Sequence, residues 1–134
     1  MATRYLLDTN IWIALAKGEL SVLGRLRELP PDAVCSCSIV RAELMFGGRK
    51  SQRVHENLRG FERLLEPFVS LPFDDGAAEI YGMIRADLER MGTPIGANDL
   101  LIAAIARARD CVMVVTRNCR EFERVVGLRV EVWD

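Results

Sequence analysis

Three carboxylates stand where carboxylates are uncommon. Asp8 follows Tyr5-Leu6-Leu7 and precedes Ile11-Trp12-Ile13, Glu43 lies inside Ile39-Val40-Arg41-Ala42-Glu43-Leu44-Met45-Phe46, and Asp99 opens Leu100-Leu101-Ile102-Ala103-Ala104. Acids are rarely buried unless they are paired or hold a metal. Each has a plainer reading alone: Asp8 or Asp99 caps a helix, and Glu43 pairs with Arg41 or a more distant arginine. Together, each near the start of a helix that follows a strand or loop, they point to a shared site. Two carboxylates about 4 Å apart repel by roughly 4 kcal/mol at an effective dielectric of about 20. Several such acids stay ionised together only around a cation. All-oxygen ligation favours Mg²⁺ or Mn²⁺ over zinc. An ion of that kind binds substrate phosphate oxygens, lowers the pKa of a bound water and stabilises in-line attack on phosphorus. That chemistry needs no histidine.

The rest of the composition narrows the field. The chain has one histidine, His55, which leaves no two-histidine acid–base nuclease and no H-E-x-x-H metalloprotease. His55 sits among polar residues and reads as a surface side chain. No P-loop, G-x-G-x-x-G or G-x-S-x-G motif occurs. The four cysteines, Cys35, Cys37, Cys111 and Cys119, form no C-x-x-C pair, so a zinc site is not expected and scattered reduced thiols suit a cytoplasmic protein. No apolar run reaches the ~18–20 residues a membrane span needs, and the start does not suit a signal peptide. At 134 residues, 50% hydrophobic and 28% charged, the chain reads as a single globular domain over residues 1–134. Nineteen acids against eighteen bases give a net charge of −1, which argues against a uniformly basic nucleic-acid binder. Yet only Lys17 and Lys50 are lysines among those bases. Arginine is the better bidentate phosphate ligand, although genome composition alone also biases a chain this way.

The elements that must position the acids follow from periodicity. Tyr5-Leu6-Leu7 reads as a buried strand feeding a helix over Ile11 to Ala16, with Asp8 at the strand's carboxyl end. A second helix, Glu19 to Leu29, stops at Pro30-Pro31. A strand over Ala33 to Cys37 leads into a helix capped by Ser38 and ended by Gly47-Gly48. Arg49 to Leu65 is amphipathic, Phe68 to Leu71 a short strand, and Asp74 to Met91 a long helix ending at Gly92. Asn98-Asp99 starts a nearly all-apolar helix, Leu100 to Ala106. Val112 to Val115 and Leu128 to Trp133 read as strands, with a short segment Arg120 to Val126 between them. Strands alternating with helices predict an α/β/α sandwich around a mostly parallel central sheet of four to five strands. Sites in such sheets form at the carboxyl ends of strands, where Asp8 and Asn118 fall.

At these residues the sequence resembles the PIN-domain ribonucleases, and within them the VapC-type toxins of bacterial toxin–antitoxin pairs. The matching blocks are Leu7-Asp8-Thr9-Asn10, Arg41-Ala42-Glu43-Leu44, Gly96-Ala97-Asn98-Asp99-Leu100-Leu101-Ile102-Ala103-Ala104, and Val115-Thr116-Arg117-Asn118-Cys119-Arg120-Glu121-Phe122, closed by Gly127-Leu128-Arg129-Val130-Glu131. Their order and spacing span essentially the whole chain. The resemblance implies that Asp8, Glu43 and Asp99 are metal-binding acids. Many members carry Asp where this chain has Asn118, with a further acid at the position of Glu121. Glu121 is therefore assigned as the fourth acid, with Asn118 beside it, and one or two bound ions both remain open. The family further implies Mg²⁺- or Mn²⁺-dependent RNA cleavage, often of tRNA, and a homodimer. It also implies a cognate VapB-like antitoxin, which covers the acidic pocket with a basic side chain and alone contacts operator DNA.

The mechanism implied is hydrolysis, with water attacking in line, so the products carry a 5′-phosphate and a 3′-hydroxyl. Thr9 and Asn10 are expected to set the turn after the first strand, and Thr116 to orient a water or a carboxylate. RNA contacts are expected at Arg49, Lys50 and Arg53, which share one side if helical, and at Arg117 beside the site. Arg117 and Arg120 could equally hold Glu121 or Asp99. Val22, Leu23, Leu26, Leu58 and Phe61 are expected to contribute to partner surfaces. The rival reading is a PIN-like domain that binds RNA or a partner without cutting, favoured only by Asn118. A phosphatase of the haloacid dehalogenase type is a distant third, because Asn10 stands where its D-x-D motif needs a second Asp.

Overall fold

The Tyr5-Leu6-Leu7 run lies in β1 (Arg4–Leu7), the middle strand of a five-stranded sheet. The computed structural model describes residues 2–110 and 112–134. Met1, part of the argument about the chain start, and Cys111, one of the four thiols, lie outside the described residues. β1 is followed by α1 (Thr9–Ala16) and α2 (Leu20–Arg27), then β2 (Val34–Cys37), α3 (Ser38–Lys50) and α4 (Val54–Leu65). The chain continues through β3 (Val69–Leu71), α5 (Asp75–Arg90), α6 (Ala97–Arg107), β4 (Val112–Thr116) and β5 (Arg129–Val132). The sheet order is β3-β2-β1-β4-β5 and every neighbouring pair is parallel. The sheet is thus wholly rather than mostly parallel, with six helices flanking it. Strands covered on both faces read as continuous apolar runs, which is why β1 and β4 stand out in the sequence.

The topology fixes where a site can form. From β1 the chain builds outward through β2 and β3 on one side, then returns to lay β4 and β5 on the other. Helices therefore diverge at the carboxyl ends of β1 and β4 and leave a crevice there. Leu6 pairs with Cys35 of β2 and with Val114 of β4. The core below holds Leu6, Leu7, Ile11, Trp12, Ile102, Phe122 and Trp133, all nearly inaccessible to solvent. The Trp12 indole donates to the Leu7 carbonyl at 2.9 Å, so its one polar atom is satisfied inside the core.

Helix ends follow capping chemistry in most places. Asp8 caps α1 by accepting from Thr9 N, and Asp74 caps α5 by accepting from Ala77 N at 2.9 Å. Gly18 and Gly92, just past α1 and α5, adopt the left-handed conformation (φ 73° and 70°) that lets a chain leave a helix.

Four expectations are corrected. Ser38 does not cap α3: it is the first helical residue, after a Cys37 that makes no side-chain cap bond. Gly47-Gly48 does not end that helix, which runs on to Lys50. A Cβ on Gly48 would lie 2.7 Å from Leu58 Cδ2, so Gly48 marks where α3 and α4 approach closely, not a stop. As a result Arg49 and Lys50 end α3 while Arg53 precedes α4, and the three bases do not share one helix side. Val22, expected on a partner surface, is wholly buried, whereas neighbouring Leu20 is 81% exposed. Phe61 does reach the surface, lining a groove of about 470 Å³ with Leu15, Gly60 and Leu64. Among the described residues no helix is long and apolar enough to cross a membrane.

Candidate active site

Asp8 is placed by two constraints. Its backbone N–H donates to Val115 O at 2.8 Å, which extends the β1–β4 ladder one residue past the strand. Its side chain then turns into the N-terminus of α1, where Oδ1 accepts from Thr9 N at 2.8 Å. Oδ2 accepts from the Thr116 hydroxyl at 2.8 Å. Asp8 is only 7% exposed and Thr116 not at all. Burial raises the Asp8 pKa above its ordinary value, opposed by the Thr116 and Thr9 hydrogen bonds, and the nearby Glu43 raises it further.

The other acids reach the same crevice from three different elements. Glu43 comes from the second turn of α3, where Oε1 accepts from the Thr9 hydroxyl at 2.6 Å and Oε2 from the Asn98 amide at 3.2 Å. Asp99 sits in the first turn of α6, whose cap is Gly96, so its carboxylate is free of capping duty. Glu121 follows β4 and accepts from Gly96 N at 2.9 Å. Asp8, Thr9, Asn10, Ile13, Glu43, Asp99, Asn118 and Glu121 line one open pocket of about 310 Å³.

The electrostatics show how crowded this charge is. Burial, contact with Glu121, and the charges of Asp8, Glu121 and Glu43 push the Asp99 pKa from 3.8 to about 7. Glu121 moves down, because Asp99 and the Gly96 N–H donate to it. The pair therefore shares a proton near neutral pH, with Asp99 holding it. None of the four acids forms a salt bridge with an arginine or lysine among the described residues. The donor set is all oxygen, without thiol or imidazole, and fits a hard divalent cation. As the side chains stand, no three of them are close enough to hold one ion. Glu43 and Glu121 are each turned toward their protein hydrogen-bond donors.

Thr116 carries more than the sequence suggested. Its hydroxyl donates to Asp8 while accepting from the Asn10 amide at 3.2 Å and the Asn118 backbone N–H at 3.3 Å. Asn10 Oδ1 also accepts from Arg117 N. Asn98 was not singled out, although its place beside Asp99 in a helical first turn was the available signal. Arg117 does not face the acids: its guanidinium pairs with Glu19 at 2.7 Å. Asn118 lines the pocket and its Oδ1 accepts from Arg120 N. Arg53 pairs with Glu56 at 3.4 Å.

A parallel α/β fold with four acids gathered at its carboxyl edge defines the class, and comparison with known proteins agrees. The PIN domain profile matches residues 5–128. A tRNA(fMet)-specific endonuclease VapC of Shigella flexneri is 40% identical over 130 residues, covering 97% of this chain and 98% of that protein. Ribonuclease VapC2 of Haemophilus influenzae is 39% identical over 131 residues, with 97% and 98% covered. Among solved structures, VapBC2 from Rickettsia felis bound to a DNA fragment from its promoter superposes with a TM-score of 0.91, at 35% identity over 98% of this chain and all of that one. DNA-bound VapBC from Salmonella typhimurium gives 0.91 at 38% identity, covering 98% and 99%. The chain belongs to the PIN-domain family. Its full-length relatives are VapC ribonucleases.

Proposed function

We propose that this chain is an endoribonuclease toxin of the VapC type that hydrolyses RNA phosphodiester bonds with a divalent cation held by Asp8, Glu43, Asp99 and Glu121. The observation that carries this reading is the convergence of those four carboxylates in one pocket, none of them in a salt bridge among the described residues. Mg²⁺ is the expected ion and Mn²⁺ its substitute. Such an ion would supply charge neutralisation at phosphorus and activation of water. The chain's own residues do the positioning. Thr116 and Thr9 N fix both Asp8 oxygens, Thr9 and Asn98 hold Glu43, and Gly96 N holds Glu121. Glu43 and Glu121 are turned toward Thr9, Asn98 and Gly96 N, and these donors set where their carboxylates would meet an ion. Asp99 would hold the ion in its ionised form, and in the metal-free pocket it holds the proton it shares with Glu121. Asn118 lines the same pocket and offers an amide oxygen there.

The relatives' names support tRNA as the substrate class, and the relatives' structures, VapBC complexes bound to DNA, support a cognate VapB-like antitoxin. A homodimer and a cytoplasmic location belong to the same reading. The antitoxin-free chain, incubated with total tRNA in Mg²⁺, in Mn²⁺ and in EDTA, is expected to give discrete fragments only with metal. Asp8→Ala should abolish them. RNA retained in a gel shift but never cut would instead favour the non-cutting binder.

A further inference from the structure

We propose that Phe46, with Lys50 beside it, is a stacking platform for an unpaired nucleobase next to the cleavage site. The proposal rests on the reading that this chain cuts RNA. Phe46 lies one turn beyond Glu43 on α3, and Lys50 one turn beyond Phe46, so the three share one stripe of the helix. At 1.5 Å per residue the Phe46 Cα lies about 4.5 Å and the Lys50 Cα about 10.5 Å further along the helix axis than that of Glu43.

The exposure of this ring is the second observation. Large apolar side chains left in water among the described residues are Ile13, Leu20, Phe46, Val69, Met83, Met91 and Val126, and Phe46 is the one aromatic among them. It is 64% exposed, while Trp12, Phe122 and Trp133 are buried. Gly47, next to it on the same stripe, has open space where a side chain would stand, which leaves room beside the ring. The Lys50 ammonium lies 5.1 Å from the Phe46 centroid. That contact pre-orders a long basic chain along the ring. Arg49 and Lys50 form no salt bridge among the described residues, unlike Arg53 and Arg117. An exposed ring with Lys50 against it and Arg49 close by in sequence, on the helix that carries Glu43, matches single-stranded RNA, with base on ring and phosphate on cation. An acidic pocket by itself repels that substrate. A basic, aromatic approach on the same helix offsets the repulsion without changing the net charge of −1.

The test measures binding of a fluorescein-labelled A12 oligoribonucleotide and of an abasic 12-mer with the same phosphates, by anisotropy in EDTA, alongside tRNA cleavage in Mg²⁺. Phe46→Ala is expected to weaken A12 binding about 5- to 100-fold, to leave the abasic 12-mer unchanged, and to raise KM for tRNA with kcat retained. Phe46→Trp should restore A12 binding, and Lys50→Ala should weaken both probes and flatten the salt dependence by about one phosphate. Thermal melting and size-exclusion elution of each variant report folding and oligomeric state. Equal A12 affinity for wild type and Phe46→Ala overturns the proposal. So does equal loss on both probes, or a change of oligomeric state showing that the ring seals a protein contact. Wild-type cleavage of tRNA together with an unaffected Phe46→Ala sinks the platform alone. Absence of both cleavage and RNA binding in the wild type sinks the platform and the nuclease reading together.

Discussion

A buried carboxylate needs donors that persist whether or not a cation is present, and at Asp8 the decisive one is a hydroxyl. Thr116 is fully buried and gives its single proton to Asp8, while its lone pairs accept from Asn10 and Asn118. Replacing it by Val keeps shape and removes the donor. Loss of a hydrogen bond to a buried charged group costs on the order of 1–3 kcal/mol. Thr116→Val is therefore expected to weaken Mn²⁺ binding roughly 5- to 100-fold by calorimetry, while Thr116→Ser stays close to wild type. Unchanged Mn²⁺ affinity in Thr116→Val would mean that Asp8 is not the ligand its surroundings suggest. At this scale the acids were legible because a carboxylate inside an apolar run is rare. Their supporting donors were less so. Threonine and asparagine are common in turns, and nothing in Asn98 alone says that its amide reaches Glu43 from 55 positions away. Arg117 shows the same limit: nothing in its place beside Asn118 says that its guanidinium pairs with Glu19, 98 positions away.

Elements were legible where periodicity and capping agreed, as at β1, β4 and α5. They were misread where one residue type has two uses. Gly47-Gly48 looks like a helix terminus, but neither glycine has positive φ, and α3 continues through both. Only the position of α4 tells the two glycines apart, and periodicity within α3 does not contain it. The adjacent residues should therefore respond in opposite directions. A Cβ at 47 meets nothing within 4 Å, so Gly47→Ala is expected to stabilise by up to about 1 kcal/mol through helix propensity. At 48 a side chain collides with Leu58, and Gly48→Val is expected to cost about 1–3 kcal/mol. Urea unfolding of both variants measures the pair. Pairing Gly48→Val with Leu58→Ala should cost less than the two changes summed, since the second removes the colliding atoms. Strict additivity would show that the α3–α4 approach is not what holds Gly48.

On the scale of the whole molecule, the acid pocket sets stability against function, and pH and metal report the balance. With Asp99 raised to about 7 from 3.8, the metal-free folded chain holds a proton that the unfolded chain releases between those values. Stability in EDTA should therefore fall as pH rises from about 4 to 7 and level off above. Asp8 moves in the same direction. Glu121 moves oppositely, and the stability it contributes is lost as pH falls below its ordinary 4.5, outside most of that window. A cation that binds only the folded, ionised pocket stabilises by mass action, about 2.7 kcal/mol at a hundred times its dissociation constant. Thermal melts in saturating Mg²⁺ should accordingly lose the downward slope between pH 5 and 7. Metal-free Asp99→Asn should lose that slope as well, and its Tm should respond only weakly to Mg²⁺. Wild-type melts with the same slope in EDTA and in Mg²⁺ would separate the acids from metal binding, because a cation seated among them must displace the proton on Asp99.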